Sequence, residues 1–237
     1  MAGIFHFKQF TVDQSGCAMK INTDGVLLAA LAKADAAKSI LDIGTGTGVI
    51  ALMLAQKFPY AKIDAVEIDK TAAETAGGNF KNSPFAERLT IAHSSFQHYF
   101  EQFPARKYEL IISNPPFYIN SLQSPEHQTN IAKHTDVLFF EELVAGVSKH
   151  LSINGACWVI LPVPTAEFVK TSMSRFNLHL QKIITIRSFA ESEVHREILV
   201  FGSSQTKFNI EDFVIYDIPK EYSDSYKTAL KDFFTIF

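Results

Sequence analysis

The segments SILDIGTGTG, residues 39–48, and VIALMLAQKF, residues 49–58, together decide the fold of this chain. The first segment opens with a short apolar run of the kind found in buried strands, and the second has helical character. Three glycines at alternating positions join them, and glycine permits a tight turn and close approach of another molecule to the backbone. The two segments therefore predict a strand, a glycine-rich turn and a helix, the repeating unit of an open α/β sheet.

Strand-like and helix-like runs alternate outward from this turn over most of the chain. We expect strands at residues 39–43, 62–68, 88–92, 108–113 and 155–161, and helices at residues 49–58, 70–80, 97–102, 136–150 and 165–175. Asp136 is expected to cap the helix that it begins. Two last strands, 178–187 and 196–201, follow without a helix between them, which implies an antiparallel hairpin. The expected fold class is α/β: a doubly wound, mostly parallel seven-stranded sheet with an antiparallel edge hairpin.

The composition is that of an ordinary globular protein, with 237 residues of which 47% are apolar and 20% are charged. Disordered, collagen-like and other low-complexity classes are therefore excluded. Because 22 Lys and Arg stand against 25 Asp and Glu, the net charge is −3. This balance argues against a protein that coats nucleic acid by bulk electrostatics, but it leaves room for recognition of RNA through a local patch.

The cysteines and the N-terminal residues indicate in which cellular compartment the protein is expected. Cys17 and Cys157 form neither a disulfide framework nor a closely spaced zinc site, so we expect a reducing interior and no metal. The opening residues, MAGIFHFKQF, lack the long apolar segment of a signal peptide. The longest apolar run, 49–55, is too short to span a bilayer. We therefore expect a cytoplasmic location and no membrane partner.

The glycine turn is followed by an acidic residue at the end of the second strand, Glu67, 19 residues after Gly48. A carboxylate at this place can accept hydrogen bonds from both hydroxyls of a ribose. The G-x-G-x-G spacing differs from that of dinucleotide enzymes, and no phosphate-binding GK[ST] follows. These features favour a pocket for an adenosine-type cofactor without a pyrophosphate. The alternative is a turn that only packs helix on strand, with Glu67 a solvated charge and Asp42 a local cap.

Asn114-Pro115-Pro116-Phe117 follows the fourth strand and is the most specific motif of the chain. The prolines stiffen the backbone, so that the Asn114 side chain and the Pro115 carbonyl can form a fixed pair of acceptors. Two acceptors that hold the hydrogens of an exocyclic ring amine turn its delocalised lone pair toward an electrophile, without a strong base. Phe117 offers a face for a purine, worth about 1–3 kcal/mol. The alternative is a rigid turn with a core phenylalanine.

DIGTGTG, Glu67 and NPPF in this order resemble the class I, Rossmann-like methyltransferases that modify amino groups with S-adenosylmethionine. Their [DNS]-P-P-[YFW] motif is shared by N6-adenine and protein-glutamine methyltransferases. FHFKQF at 5–10, CAMKINTDGVLL at 17–28 and the aromatic end at 222–237 are similar to the bacterial valine-tRNA adenine-N6-methyltransferase family. The resemblance implies methylation of the adenosine 3′ of the anticodon, with tRNA as the partner.

The resemblance also implies the organisation of the domain and its site. Residues 1–237 would form one methyltransferase domain, with a core at 38–202, an N-terminal segment at 1–37 that covers the cofactor pocket, and a C-terminal strand and helix extension at 203–237. The implied cofactor-binding residues are Lys20, Thr23, Asp42, Gly44, Thr45, Gly46, Gly48, Glu67, Ile68, Ser95, Phe96 and Asn114. The implied catalytic residues are Asn114, Pro115, Pro116 and Phe117.

Some of these positions have a second interpretation. Thr23 or Asp24 could simply cap a helix over residues 25–31. Ser95 stands where such enzymes carry an acidic residue that accepts from the cofactor adenine, and a hydroxyl accepts more weakly than a carboxylate. Phe96 either packs on the adenine edge or lies in the core.

Two other functions fit parts of the pattern. A protein glutamine N5-methyltransferase would use the same NPPF, but that family carries a helical N-terminal domain, for which about 38 residues before the first strand are too few. A nicotinamide-dependent oxidoreductase or a nucleotide-binding module would use the glycine turn, although G-x-G-x-x-G is missing.

The candidate RNA contacts are scattered rather than clustered. A loop of more than twenty mostly polar residues follows the NPPF motif, and loops of that length are usually functional. Such a loop can supply polar groups to splayed RNA bases. The candidates are Lys8, Lys20, Gln123, His127, Gln128, Asn130, Lys133, His134, Arg187 and Arg196. The helix expected at 222–234 is interpreted as core rather than as a stacking platform.

Overall fold

Eight strands form the central sheet of the computed structural model, which describes residues 3–115 and 126–237, with the side chains of 126–136 outside that description. Numbered in chain order, they lie from edge to edge as β10 (Asn209–Val214), β8 (His179–Arg187), β9 (Arg196–Gly202), β7 (Leu151–Leu161), β6 (Tyr108–Ser113), β3 (Ser39–Ile43), β4 (Lys62–Glu67) and β5 (Leu89–His93). The strands from β7 to β5 are parallel, and β9 runs antiparallel to both β7 and β8.

The doubly wound, mostly parallel α/β fold is confirmed, but the predicted count of seven strands is short by one. β10 pairs in parallel with β8 and covers the outer side of the β8–β9 hairpin, which is therefore not the edge of the sheet. Phe213 is the one buried residue of this strand. An edge strand that buries a single side chain has almost no apolar pattern, so the sequence gives no signal for it.

Helices cover both faces of the sheet. They are α1 (Thr23–Leu31), α2 (Val49–Lys57), α3 (Lys70–Lys81), α4 (Phe96–Gln102), α5 (Glu126–His150), α6 (Val163–Met173) and α7 (Asp224–Leu230). The first three and α7 bury their apolar side chains in one core with Ile40 and Leu110. The helices α4, α5 and α6 form a second core with Leu41 and Ile111. Neighbouring residues of one strand enter opposite cores because side chains alternate across a sheet.

Two helices differ from their predicted bounds by more than two residues at one end. α5 begins at Glu126, so Asp136 lies inside it and is not its N-cap. The mostly polar sequence before residue 136 has no helical repeat of apolar residues, so the sequence pattern does not predict this first part of the helix. The C-terminal helix is shorter than the predicted 222–234, because Ser223 caps it and it ends at Leu230. None of the helices in the described ranges is long and apolar enough to cross a membrane.

The two ends of the chain pack together as one layer beside α1. An N-terminal hairpin of β1 (Ile4–His6) and β2 (Thr11–Asp13) brings Phe5 and Phe7 to 5.6 and 5.7 Å from the ring of Phe234. The backbone N–H of Lys8 donates to the carbonyl of Phe233 at 2.8 Å, and its Nζ donates to the carbonyl of Phe237 at 2.8 Å. The N-terminal segment therefore depends on the C-terminal one for its position. A last small hairpin, β11 (Tyr216–Ile218) and β12 (Glu221–Tyr222), precedes α7.

Candidate active site

The glycine turn between β3 and α2 has the backbone that only glycine adopts easily. Gly44, Gly46 and Gly48 have φ values of 71°, 57° and 84°, where a side chain would be strained. A Cβ at Gly44 or Gly46 would meet nothing within 4 Å, whereas one at Gly48 would lie 2.5 Å from the Phe80 ring. The first two glycines thus border open space, and the third lets α2 pack against α3.

Asn79 on α3 connects this turn to the N-terminal hairpin. Its Nδ2 donates to the carbonyls of Thr47 and Asp13, at 2.9 and 2.8 Å, and its Oδ1 accepts from the N–H of Asp13 at 2.9 Å. The side chain is buried, so these bonds are made away from water and are costly to lose. The hairpin is therefore held directly beside the glycine turn.

Glu67, at the end of β4, is buried and forms a hydrogen bond to the glycine turn. One carboxylate oxygen accepts from the N–H of Gly46 and the other from the N–H of Asp69, both at 2.9 Å. Each oxygen keeps a second acceptor site, which two ribose hydroxyls could use. The alternative of a solvated charge does not fit a buried carboxylate. Ile68, the next residue, is 70% exposed and offers an apolar surface beside these acceptors.

Asp42 is fully buried at the end of β3 and has one oxygen bonded and one unpaired. Its Oδ2 accepts from the Thr45 hydroxyl at 2.6 Å, and its Oδ1 has no hydrogen-bond partner among the described residues. Burial raises the pKa of Asp42 to about 7. A buried acceptor without a donor is costly. The residues here therefore fit a ligand with a cationic or donor group at Asp42, hydroxyls at Glu67 and its body over Gly44 and Gly46.

Asn114 leaves the sheet beside the glycine turn. Ile43 and Ser113 are paired in the register of β3 and β6, and the Ser113 hydroxyl donates to the Ile43 carbonyl at 2.8 Å. Asn114 and Pro115 therefore start from the same sheet edge as Gly44, where open α/β sheets bind ligands. Pro116 and Phe117 lie outside the described residues, so the stacking role of Phe117 stays a prediction.

Asn114 and Pro115 line a cleft of about 570 Å³, whose other walls come from distant parts of the chain. These walls are formed by Met19, Asn22, Thr23, Asp24, Ser188, His195, Arg196, Ile215 and Tyr216. Burial, together with the nearby Arg196 charge, lowers the pKa of His195, so its ring is neutral at pH 7. The cleft is thus walled by the N-terminal segment and by the sheet's antiparallel side.

The start of α1 corrects one expectation. The N-cap is Asn22, whose Oδ1 accepts from the N–H of Gly25 at 2.9 Å, so neither Thr23 nor Asp24 caps the helix. Asp24 instead pairs with Arg196, with Nε and Oδ2 at 2.8 Å. Sequence reasoning missed Asn22, although an asparagine directly before a helical run is a recognised N-cap signal.

The residues after β5 have mainly local roles. The Ser95 hydroxyl caps α4 by accepting from the N–H of His98 at 3.2 Å. Phe96 is buried, with its ring 5.4 Å from Phe139 and 6.2 Å from Phe100. Of the two interpretations of Phe96, the core position is the one the structure shows for its ring.

Several predicted RNA contacts have partners within the protein. Lys8 bonds to the C-terminal segment, Arg196 pairs with Asp24, and Arg187 pairs with Asp212 at 3.1 Å. Lys20 is exposed, and the residue before it, Met19, lines the cleft. The side chains of the remaining candidates, Gln123, His127, Gln128, Asn130, Lys133 and His134, lie outside the described part of the chain.

Comparison with known proteins agrees with this geometry. The sequence model of the methyltransferase small domain family matches residues 17–179 of this chain. A tRNA1(Val) (adenine(37)-N6)-methyltransferase of Pedobacter heparinus is 46% identical over 237 residues and covers 100% of both chains. One of the same name from Flavobacterium psychrophilum is 41% identical, covering 98% of this chain and 99% of the relative.

Among solved structures, a predicted O-methyltransferase from Agrobacterium tumefaciens superimposes with a TM-score of 0.71 at 15% identity, over 89% of this chain and 96% of that one. At this identity the likeness shows the fold alone. The matched family model, the full-length relatives and the glycine turn beside Asn114 lead to one assignment: the chain belongs to the methyltransferase small domain family, and within it to the tRNA1(Val) (adenine(37)-N6)-methyltransferases.

Proposed function

We propose that this chain transfers a methyl group from S-adenosylmethionine to the N6 amine of adenosine 37, the adenosine 3′ of the anticodon, in a valine tRNA. The observation that carries the proposal is the pairing of Ile43 with Ser113. Because of this pairing, Gly44 and Asn114, the residues that follow, leave the sheet next to each other at its carboxyl edge. The full-length relatives that carry this name support the choice of tRNA.

The cofactor pocket is proposed from the donors and acceptors around the glycine turn. S-adenosylmethionine supplies a methyl group on a positively charged sulfur when it is bound. Glu67 would accept from the ribose hydroxyls with the lone pairs that its backbone bonds leave free. Asp42 would receive the amino group at its unpaired Oδ1. Gly44 and Gly46 would let the cofactor lie against the backbone. Thr45, Ile68, Lys20 and Thr23 are proposed as further contacts, and Ser95 as a weaker one.

The chemical step is proposed to depend on Asn114 and Pro115. The side-chain oxygen of Asn114 and the backbone carbonyl oxygen of Pro115 would accept the two N6 hydrogens of the adenine. They would thereby hold the nitrogen lone pair in line with the methyl group. As the bond from N6 to the methyl carbon formed, the bond from that carbon to sulfur would break and leave a neutral thioether, and the methylated nitrogen would then release one proton to water. Such positioning needs no titrating base in the site. Phe117 would stack on the purine. Because the target base lies in a loop, it can leave its stack at small cost.

The binding partner of the enzyme, its domain organisation and its cellular location are also proposed. Residues 1–237 would act as one methyltransferase domain, in which the segment 1–37 covers the pocket. The partner would be tRNA, and the enzyme would work where mature tRNA is found, in the cytoplasm. The relatives from Pedobacter heparinus and Flavobacterium psychrophilum carry the name of a tRNA adenine methyltransferase, which favours this reaction over a nicotinamide-dependent reaction, a nucleotide-binding role or methylation of a protein glutamine.

An assay with defined RNA tests this proposal. A valine tRNA transcript is incubated with the full chain and methyl-labelled S-adenosylmethionine, and its nucleosides are separated by mass spectrometry. We expect one labelled N6-methyladenosine per tRNA, and none in a transcript in which adenosine 37 is replaced by guanosine. Label at another position, or transfer to a protein glutamine instead of RNA, would show that the proposed substrate is wrong.

A further inference from the structure

The side chain of Asn22 contacts both the N-terminus of α1 and the amide of Asn114. Its Oδ1 accepts from the N–H of Gly25 at 2.9 Å, as the N-cap of the helix. The same oxygen lies 3.4 Å from Nδ2 of Asn114, which donates to it. One oxygen atom thus joins the helix to the residue that is proposed to hold the target amine.

The backbone donor determines which way both amides face. The N–H of Gly25 can only donate, so the atom of Asn22 that faces it must be the oxygen. That oxygen can only accept, so the atom of Asn114 that faces it must be the NH₂ group. The carbonyl oxygen of Asn114 is then turned away from α1. In an amide of the opposite orientation, two oxygens would face each other.

We propose that Asn22 is a positioning residue for the methyl transfer: it fixes the orientation of the Asn114 amide, so that its oxygen and not its NH₂ faces the substrate amine. The inference rests on the proposed function, because it assigns Asn114 as an acceptor for the N6 hydrogens. An Asn114 amide with its NH₂ toward the substrate would present a donor to a donor and could not hold the target amine.

The start of α1 is held firmly enough to act as a reference point. Arg196 on β9 pairs with Asp24 at 2.8 Å, with about a quarter of each side chain exposed (29% and 20%). Gly25 is buried, and a Cβ at this position would lie 3.4 Å from Nδ2 of Asn114 and 3.5 Å from Oδ1 of Asn22. Glycine therefore leaves only about the space of one methyl group between the start of the helix and the two amides.

A set of variants at one position separates positioning from helix capping. Asn22→Ser keeps a good N-cap, but its hydroxyl is one atom shorter than the asparagine oxygen and cannot reach Asn114. Asn22→Asp keeps both the cap and the longer acceptor. Asn22→Ala removes both. Asp, Asn and Ser are nearly equal as N-caps, so we expect the melting temperatures of the Ser and Asp variants to stay within about 2 °C of the wild type.

The expected kinetic result differs between the two well-capped variants. We expect Asn22→Ser to lower kcat roughly five- to tenfold, the effect of one lost hydrogen bond, with the KM for tRNA unchanged. Asn22→Asp is expected to stay within about twofold of the wild type. All rates are measured at 20 °C, well below unfolding, so that a change in stability does not alter the amount of folded enzyme.

Two outcomes would overturn the inference. If Asn22→Ser keeps the wild-type kcat, Asn22 is only a helix cap. If Asn22→Asp loses as much kcat as Asn22→Ser, acceptance from Asn114 is not what the reaction needs. Failure of the proposed function has a different signature, because then the wild-type enzyme itself leaves adenosine 37 unmethylated.

Discussion

Asp42 combines complete burial, one bonded oxygen and one unpaired oxygen. Burial raises its pKa to about 7 from an ordinary value of 3.8, so near neutral pH about half of the molecules carry a proton on this residue. The folded form holds this proton more tightly than the unfolded chain does. The carboxyl therefore contributes stability below about pH 4, and this contribution is lost as the pH rises through about 7.

The raised pKa of Asp42 predicts how cofactor binding depends on pH. An ionised Asp42 attracts the cationic amino group, so the affinity for S-adenosylhomocysteine is expected to increase roughly tenfold between pH 6 and pH 8. Asn at this position cannot ionise, so Asp42→Asn should bind more weakly and with little dependence on pH. Titration calorimetry at several pH values measures both. Equal pH profiles for the two proteins would show that Asp42 does not receive the amine.

The amide of Asn114 is expected to serve the chemical step rather than cofactor binding. Removal of one fixed electrostatic contact to a reacting group commonly costs a factor of about 10² to 10³ in kcat. We expect Asn114→Ala to lose activity in that range while its dissociation constant for S-adenosylhomocysteine changes less than about twofold. Single-turnover kinetics and calorimetry measure the two effects. An activity near that of the wild type would contradict the acceptor-pair mechanism.

At the scale of elements, the glycine turn offers a matched pair of substitutions. Gly46 and Gly48 both have positive φ, so alanine is strained at either position. A Cβ at Gly48 would in addition come within 2.5 Å of the Phe80 ring, while at Gly46 it would meet nothing within 4 Å. We expect Gly48→Ala to lower the free energy of unfolding by about 2 kcal/mol more than Gly46→Ala.

Ligand binding should rank the two variants, Gly46→Ala and Gly48→Ala, in the opposite order to stability. The Gly46 methyl would enter the space proposed for the cofactor, so Gly46→Ala is expected to weaken S-adenosylhomocysteine binding the more strongly of the two. Chemical denaturation measures which variant is the less stable, and calorimetry measures which one binds S-adenosylhomocysteine more weakly. If the order of stabilities is reversed, the division of the turn into a ligand side and a packing side is wrong.

The sequence predicted those elements that bury a continuous apolar face. The strands at 39–43 and 108–113 have their expected bounds, because each is buried on both sides of a parallel sheet. It could not predict β10, which buries one side chain, or the N-terminal part of α5, which is polar. For the site, the pattern located the glycine turn, Glu67 and Asn114. It missed the contact of Asn22 with Asn114, since a contact between residues 92 positions apart leaves no local signal.

At the scale of the whole molecule, the two ends of the chain depend on each other. Phe234 packs against Phe5 and Phe7, whereas its neighbour Ile236 is 68% exposed. We expect Phe234→Ala to lower the free energy of unfolding by about 2 kcal/mol, less than for a fully buried ring because Phe234 is half-buried. Ile236→Ala should change it by less than about 0.5 kcal/mol. Equal effects in urea denaturation would mean that the terminal layer does not form as described.

The most direct measurement of the central claim is the amount of N6-methyladenosine in valine tRNA purified from cells that lack this gene. The same cells are then given either the wild-type gene or the Asn114→Ala gene, and nucleosides are quantified by mass spectrometry. We predict that the modified nucleoside is absent without the gene, returns with the wild type and stays absent with Asn114→Ala. Unchanged modification without the gene, or full restoration by the alanine variant, would contradict the account.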